Sequence, residues 1–246
     1  MPFTLPRVRV LALLAAVVGM LAIVGASFAG PAAQVPVSAE EVVRGDRSRA
    51  WMSLIINAGA GHEPAPEILD TLAEKGVRTT FFLMGWWAER NPELVRRIGA
   101  EHEVASHGHE VFDLTRVSDA AVAADLERAD EVISGIIGRT TRPLWSASAS
   151  ARNARVNAIA ASLGYRPIFW TADGGDWTFE ATAEGVMRRV LDNASNGAII
   201  VLHLESPRTR TSTAVVLPTI VDTLRERGYR LVTITELVTG ILDEDR

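Results

Sequence analysis

Cysteine is missing from the sequence, which removes disulfides, thiolate metal sites and a cysteine nucleophile together. Any zinc would have to rest on histidine and carboxylate ligands. Lysine is almost as scarce: Lys75 is the single example, so arginine carries nearly all the positive charge. No basic stripe forms, and a formal net charge of −5 argues against a nucleic-acid partner. Neither a GxGxxG nor a P-loop follows the first apolar run of the folded part, which removes the ordinary nucleotide-binding reasons for an open sheet. What remains is a globular balance, with 48% hydrophobic and 22% charged residues in 246 positions. That length suits one large domain or two small ones.

The N-terminus departs from this balance. Arg7 and Arg9 precede an uncharged apolar run from Val10 to Gly30. About 20 such residues suffice to cross a bilayer as a helix. Residues 1–30 are therefore read as a transmembrane anchor, or as a signal peptide cleaved near "ASFAG" (Ala26 to Gly30). The arginines would stay in the cytoplasm and place the rest outside, membrane-anchored or secreted if the helix is cleaved. Residues 31–49, with prolines, small residues and charges but no period, read as a linker, and residues 50–241 as the domain proper.

Within that domain, short apolar runs at 51–57, 77–84, 102–106, 142–146, 165–172, 197–203 and 230–234 alternate with segments of helical spacing. Gly76, Gly99, Gly138, Gly164 and Gly228 stand where those helices should stop, and Ser118 where one should start. Strand and helix in alternation mean a parallel sheet with helical crossovers, open or closed into a barrel. In a parallel barrel the chemistry gathers at the C-terminal ends of the strands. Those ends carry Asn57; His107 and His109; Arg142 and Trp145; Asp173, Asp176 and Trp177; and His203 and Glu205. A polar or aromatic group from five strands on one rim points to a site. Yet the first strand, where acidic residues usually sit, ends on Asn57 and Ala58.

Residues from about 50 to 240 resemble the polysaccharide deacetylases, the NodB-homology family of carbohydrate esterases. The phrases that carry the resemblance are "APEILDTLAEKGVRTTFFLMG", "AERNPELVRRI", "HEVASHGH", "GYRPIFWTADGGDW" and "GAIIVLHLESPRTRTSTAVVLPTIVDTLRERGYRLVTI". The resemblance implies a deformed (β/α) barrel of about seven parallel strands behind an N-terminal hydrophobic helix. It also implies an extracytoplasmic role on N-acetylated glycans and a divalent metal, usually zinc, held by one Asp and two His. In the family's Thr-Phe-Asp-Asp-Gly motif, Asn57 takes the place of the general base and Ala58 that of a metal ligand. In His-x-x-x-His, His107 matches and Val111 stands in for the second ligand. Arg142 matches the arginine that steadies the base, Asp173, Asp176 and Trp177 match the fourth motif, and His203 falls on the general acid.

An amide side chain is not a useful base, and alanine and valine have no donor atoms. One imidazole does not make a zinc site, which needs about three protein ligands. The expectation is thus a deacetylase-fold protein of the cell envelope without the usual metal-dependent amide hydrolysis and without a cofactor. It would bind an N-acetylated glycan, such as peptidoglycan or a chitin-like polymer, with Trp145 and Trp177 as sugar platforms. Trp86 and Trp87 are further candidates, at least two of the four tryptophans belonging to the core. Two alternatives stay open. One is a working carbon-nitrogen hydrolase whose zinc or other divalent metal has moved to His107 with His62, Glu63 and His109. The other is a non-catalytic interaction module tethered to the envelope. Asp176 is expected to hydrogen-bond His203 and favour its imidazolium form.

Overall fold

A computed structural model describes residues 34–110 and 113–243. The expected N-terminal helix and Val111 lie outside the described residues. Seven parallel strands form one curled sheet in the order β5-β4-β3-β2-β1-β7-β6, and an eighth, β8, pairs with the start of β1. The strands are β1 (Trp51–Ala58), β2 (Thr80–Leu83), β3 (Glu103–Ser106), β4 (Leu144–Trp145), β5 (Arg166–Pro167), β6 (Ala172–Asp173), β7 (Ile199–His203) and β8 (Arg230–Leu231). The outcome is the deformed α/β barrel that the alternating pattern and the family resemblance imply.

The deformation has a local cause. The run read as one strand over 165–172 is two short strands, β5 and β6, at opposite ends of the sheet. Ile168 N–H donates to Trp145 O at 2.7 Å on one side, and Thr171 N–H to Ile199 O at 2.8 Å on the other. The intervening chain crosses the gap, and Val42 from the preceding segment fills it, donating to Pro167 O at 2.9 Å and accepting from Phe169 N–H at 2.8 Å. One stretch of chain thus closes the barrel.

Strand periodicity sorts the side chains. Ile55, Phe82, Ala105, Leu144, Ile199 and Val201 form the apolar filling of the barrel with Val35, Val42 and Ile168. The alternate residues Met52, Leu54, Ile56, Phe81, Ile200 and Leu202 pack outward under the helices. A parallel strand buried on both faces reads as a continuous apolar run, which is why β1 shows no polar alternation.

The helices are α1 (Pro66–Glu74), α2 (Gly85–Arg90), α3 (Pro92–Glu101), α4 (Asp119–Ile137), α5 (Ala154–Ser162), α6 (Ala183–Asp192), α7 (Thr213–Glu226) and α8 (Ile234–Thr239). Ser118 caps α4, accepting from Ala121 N–H at 3.3 Å, and Gly138 ends it in the left-handed region at φ 75°. Gly99, expected to stop a helix, instead lies inside α3. A Cβ there would fall 2.7 Å from Ile137, so the glycine permits α3 and α4 to approach closely.

Where α3 meets β3, His102 is 3% exposed, with its ring centroid 4.9 Å from that of Phe81. Burial, reinforced by Arg78 and Arg97, pushes its pKa down to about 4. The folded state therefore keeps His102 neutral while an unfolded chain takes up a proton below pH 6.5. Its contribution to stability is complete above that pH and is lost as pH falls toward 4. Thermal melts of His102→Leu should show a flatter decline between pH 6.5 and 4 than the native chain, and an unchanged slope would count against this assignment.

Candidate functional site

Two residues beyond the apolar filling, the same inward positions carry different chemistry. Ile55 leads to Asn57, Phe82 to Met84, Ala105 to His107 and Val201 to His203. Asn57 and His203 face each other in register across β1 and β7. With Asp173, Trp170, Trp177 and the Ser148–Ser150 turn they line a pocket of about 320 Å³. Ala149 and Ser150 in that turn adopt left-handed backbone conformations, φ 48° and 59°, without being glycine. Strain of this kind at a pocket rim is held by its surroundings.

His203 is the best-anchored group. Asp176 is fully buried; its Oδ1 meets His203 Nδ1 at 2.9 Å, and its Oδ2 accepts from His203 N–H at 2.9 Å and from Thr213 Oγ1 at 2.6 Å. Burial opposes protonation of His203, but the Asp176 charge and bond, with Glu205 and Asp173, outweigh it and leave the pKa raised. The pocket therefore receives an imidazole whose Nδ1 is engaged by Asp176 and whose protonated form is favoured.

His107 is the opposite case. Its Nδ1 lies 2.8 Å from the Ser146 carbonyl, which can only accept, so the ring carries its proton there and Nε2 is a lone-pair acceptor. Burial pushes its pKa down to about 4, with His203 adding to the effect and the Ser146 bond opposing it. Two imidazoles with opposed pKa shifts thus share the pocket. Asn57, 2% exposed, has its side-chain oxygen buried without a partner. Asp173 binds Gly175 N–H at 2.7 Å and the Trp177 indole N–H at 3.1 Å. That holds the Trp177 ring at the mouth, 51% exposed.

Other residues expected at the site lie elsewhere. Trp145 is fully buried with Tyr165, Val122 and Leu126 under α4 and α5. Leu144 takes the inward position on β4, so strand alternation turns Trp145 away, and it is no sugar platform. Trp87 is also core. Arg142 does not steady Asn57: it pairs with Asp130, donates to Leu163 O at 2.7 Å and lies 4.9 Å over the Tyr165 ring. His109 turns from the pocket and lies against Gly85 of α2. His62 and Glu63 are exposed; His62 meets Trp86 edge-on at 5.9 Å in a groove shared with Arg90 and Glu110.

The strand-end list included Glu205 but gave it no role. Its Oε1 accepts from the amides of Gly59, Ala60 (2.6 Å) and Gly61 (3.3 Å). Burial drives the carboxyl up to about 7, against the pull of those amides and His203. Its place just past the end of β7 was the signal that could have found it. Met84 and Trp170 were also unassigned. Met84 follows from the same alternation on β2, but nothing in the sequence marks Trp170.

The residues present do not fit the divalent metal that the family resemblance implies. Asn57 is neutral, Ala58 has no donor, and among the described residues no three His, Asp or Glu side chains gather as a metal-binding group.

The family description "Polysaccharide deacetylase" matches residues 44–168. Over 211 residues the chain is 31% identical to the uncharacterized protein YlxY of Bacillus subtilis, covering 84% of this chain and 62% of that one. It is 32% identical over 191 residues to the peptidoglycan-N-acetylglucosamine deacetylase PgdA of Listeria monocytogenes, covering 76% and 38%. The chain thus spans less than two thirds of either relative. Among solved structures, wild-type BA3943 of Bacillus anthracis, described as a CE4 family pseudoenzyme, superposes with a TM-score of 0.73 at 27% identity, covering 81% of this chain and 69% of that one. A BA3943 mutant described as having restored enzymatic activity gives 0.73 at 26%, covering 81% and 71%.

In Asp176→Asn the His203 ring should titrate at lower pH, because its principal counter-charge is gone. Histidine-selective NMR reads this directly, and an unmoved midpoint would contradict the pairing.

Proposed function

The chain belongs to the polysaccharide deacetylase family, and from that premise we propose that it binds N-acetylated glycans at the cell envelope without hydrolysing them. The carrying observation is the polar layer at the mouth. A pocket with an anchored histidine and an exposed tryptophan persists, while Asn57 and Ala58 stand where a base and a ligand would be needed. Metal-assisted amide hydrolysis needs a Lewis acid and a base for the attacking water. His107 supplies one lone pair, and its depressed pKa makes it a poor base near neutrality.

Binding needs less. The exposed face of Trp177 offers a flat apolar surface to a sugar ring, held by Asp173. The His203 ring, in the protonated form that Asp176 favours, donates to a ligand oxygen, and His107 Nε2 accepts from a ligand N–H or hydroxyl. The N-terminal apolar run supports an envelope location, anchored or secreted. PgdA, named for a peptidoglycan substrate, supports the choice of glycan.

Calorimetry with N-acetylglucosamine oligomers tests this reading. The native protein should bind and release no acetate, and Trp177→Ala should weaken binding roughly fivefold, as for loss of about 1 kcal/mol of stacking. Acetate release, or one tightly held zinc per chain, would establish the relocated-site hydrolase instead; no binding at all would leave the interaction module. Combining Asn57→Asp, Ala58→Asp and Val111→His should create zinc affinity in the same scaffold, and failure to gain it would refute the alignment of these positions with the family motifs.

A further inference from the structure

The pocket and the neighbouring groove share one wall, the turn at Gly59 and Ala60, which Gly61 continues into the groove. A side chain at Gly59 would run into Met84, and one at Gly61 would come within 3.3 Å of the Ser206 backbone, so the turn is pressed from two sides. Three successive amides of this turn converge on one atom, Oε1 of Glu205. Glu205 is 0% exposed, and its other oxygen, Oε2, is buried with no partner. A buried carboxylate left half-matched is costly, and a neutral side chain at this point would be cheaper to bury. Its location suggests what offsets that cost. It follows the end of β7 by two residues and reaches across to the turn after β1, where Asn57 and Ala58 carry no charge.

We propose that Glu205 is a positioning residue of the ligand pocket: it pins the Gly59–Gly61 wall and, in its ionised form, places beside His203 a negative charge that positions 57 and 58 lack. The pin acts through Oε1 and is geometric. The charge acts on His203, together with Asp176 and Asp173 and against burial, while His107 faces it uncharged. Only the ligand-affinity readout below rests on the glycan-binding reading.

Three measurements on the full chain test the proposal. Glu205→Ala removes acceptor and charge together. The amides of Gly59, Ala60 and Gly61 should then exchange with solvent at least about tenfold faster, as for loss of hydrogen bonds to a charged acceptor. Glu205→Gln keeps the shape and one acceptor oxygen, which guards against a variant that does not fold. It should leave those amides protected yet lower the pH at which the His203 ring titrates. Affinity for an N-acetylglucosamine oligomer should fall about tenfold in Glu205→Ala and less in Glu205→Gln. Unchanged exchange in the alanine variant overturns the pin, and an unmoved His203 midpoint in the glutamine variant overturns the charge. If the native protein binds no such oligomer, the glycan reading fails, while the exchange and titration results still decide the role of Glu205.

Discussion

Everything at the mouth of this barrel depends on the two-residue repeat of an extended strand in a sheet buried on both faces. Once Ile55, Phe82, Ala105 and Val201 are committed to the interior, the positions two residues later must converge above them. Those positions are Asn57, Met84, His107 and His203. The same rule turns Trp145 outward, because Leu144 occupies the inward place beside it. A shift of one residue in any strand would exchange the two sets.

Electrostatics then distinguishes groups that sequence alone treats alike. Two imidazoles line one pocket, yet burial pushes the His107 pKa down to about 4, against the Ser146 bond, while Asp176 raises that of His203. An interior of this kind holds an imidazolium only where carboxylates are close. With Asn57 and Ala58 uncharged, the counter-charges come from the β6 and β7 side of the barrel. The chemistry at the mouth has become lopsided: a proton donor is well supported and no comparable base stands opposite.

Much of the fold was legible in the sequence because it rests on periodic patterns. Apolar runs between helical segments required parallel strands, and Ser118 and Gly138 marked the ends of α4 by their own backbone chemistry. Gly99 misled because a glycine that admits a neighbouring helix looks, in one dimension, like one that ends a helix. The split of 165–172 into two strands was hidden because both halves are short and similar in composition. In the site, His107, His203 and Asp176 were legible from strand ends and family motifs. The engagement of Arg142 with Asp130 and the burial of Trp145 were not, since each depends on how the preceding helix packs against the end of β4. Glu205 lay between these cases: its place follows from the end of β7, but its partners belong to the turn after β1.

The chain that closes the barrel has one further consequence. Because β5 and β6 are the two ends of a single crossing, Asp173, Asp176 and Trp177 take their places from a span anchored at Trp145 and Ile199. The side chains along it are committed as well: Ile168 fills the barrel, Trp170 lines the pocket, and Thr171 Oγ1 donates to Ile199 O at 2.8 Å. A deletion or insertion of one residue there would rotate the downstream rim by half a strand repeat and carry Asp176 away from His203. In a lineage of such proteins, this crossing should therefore keep its length.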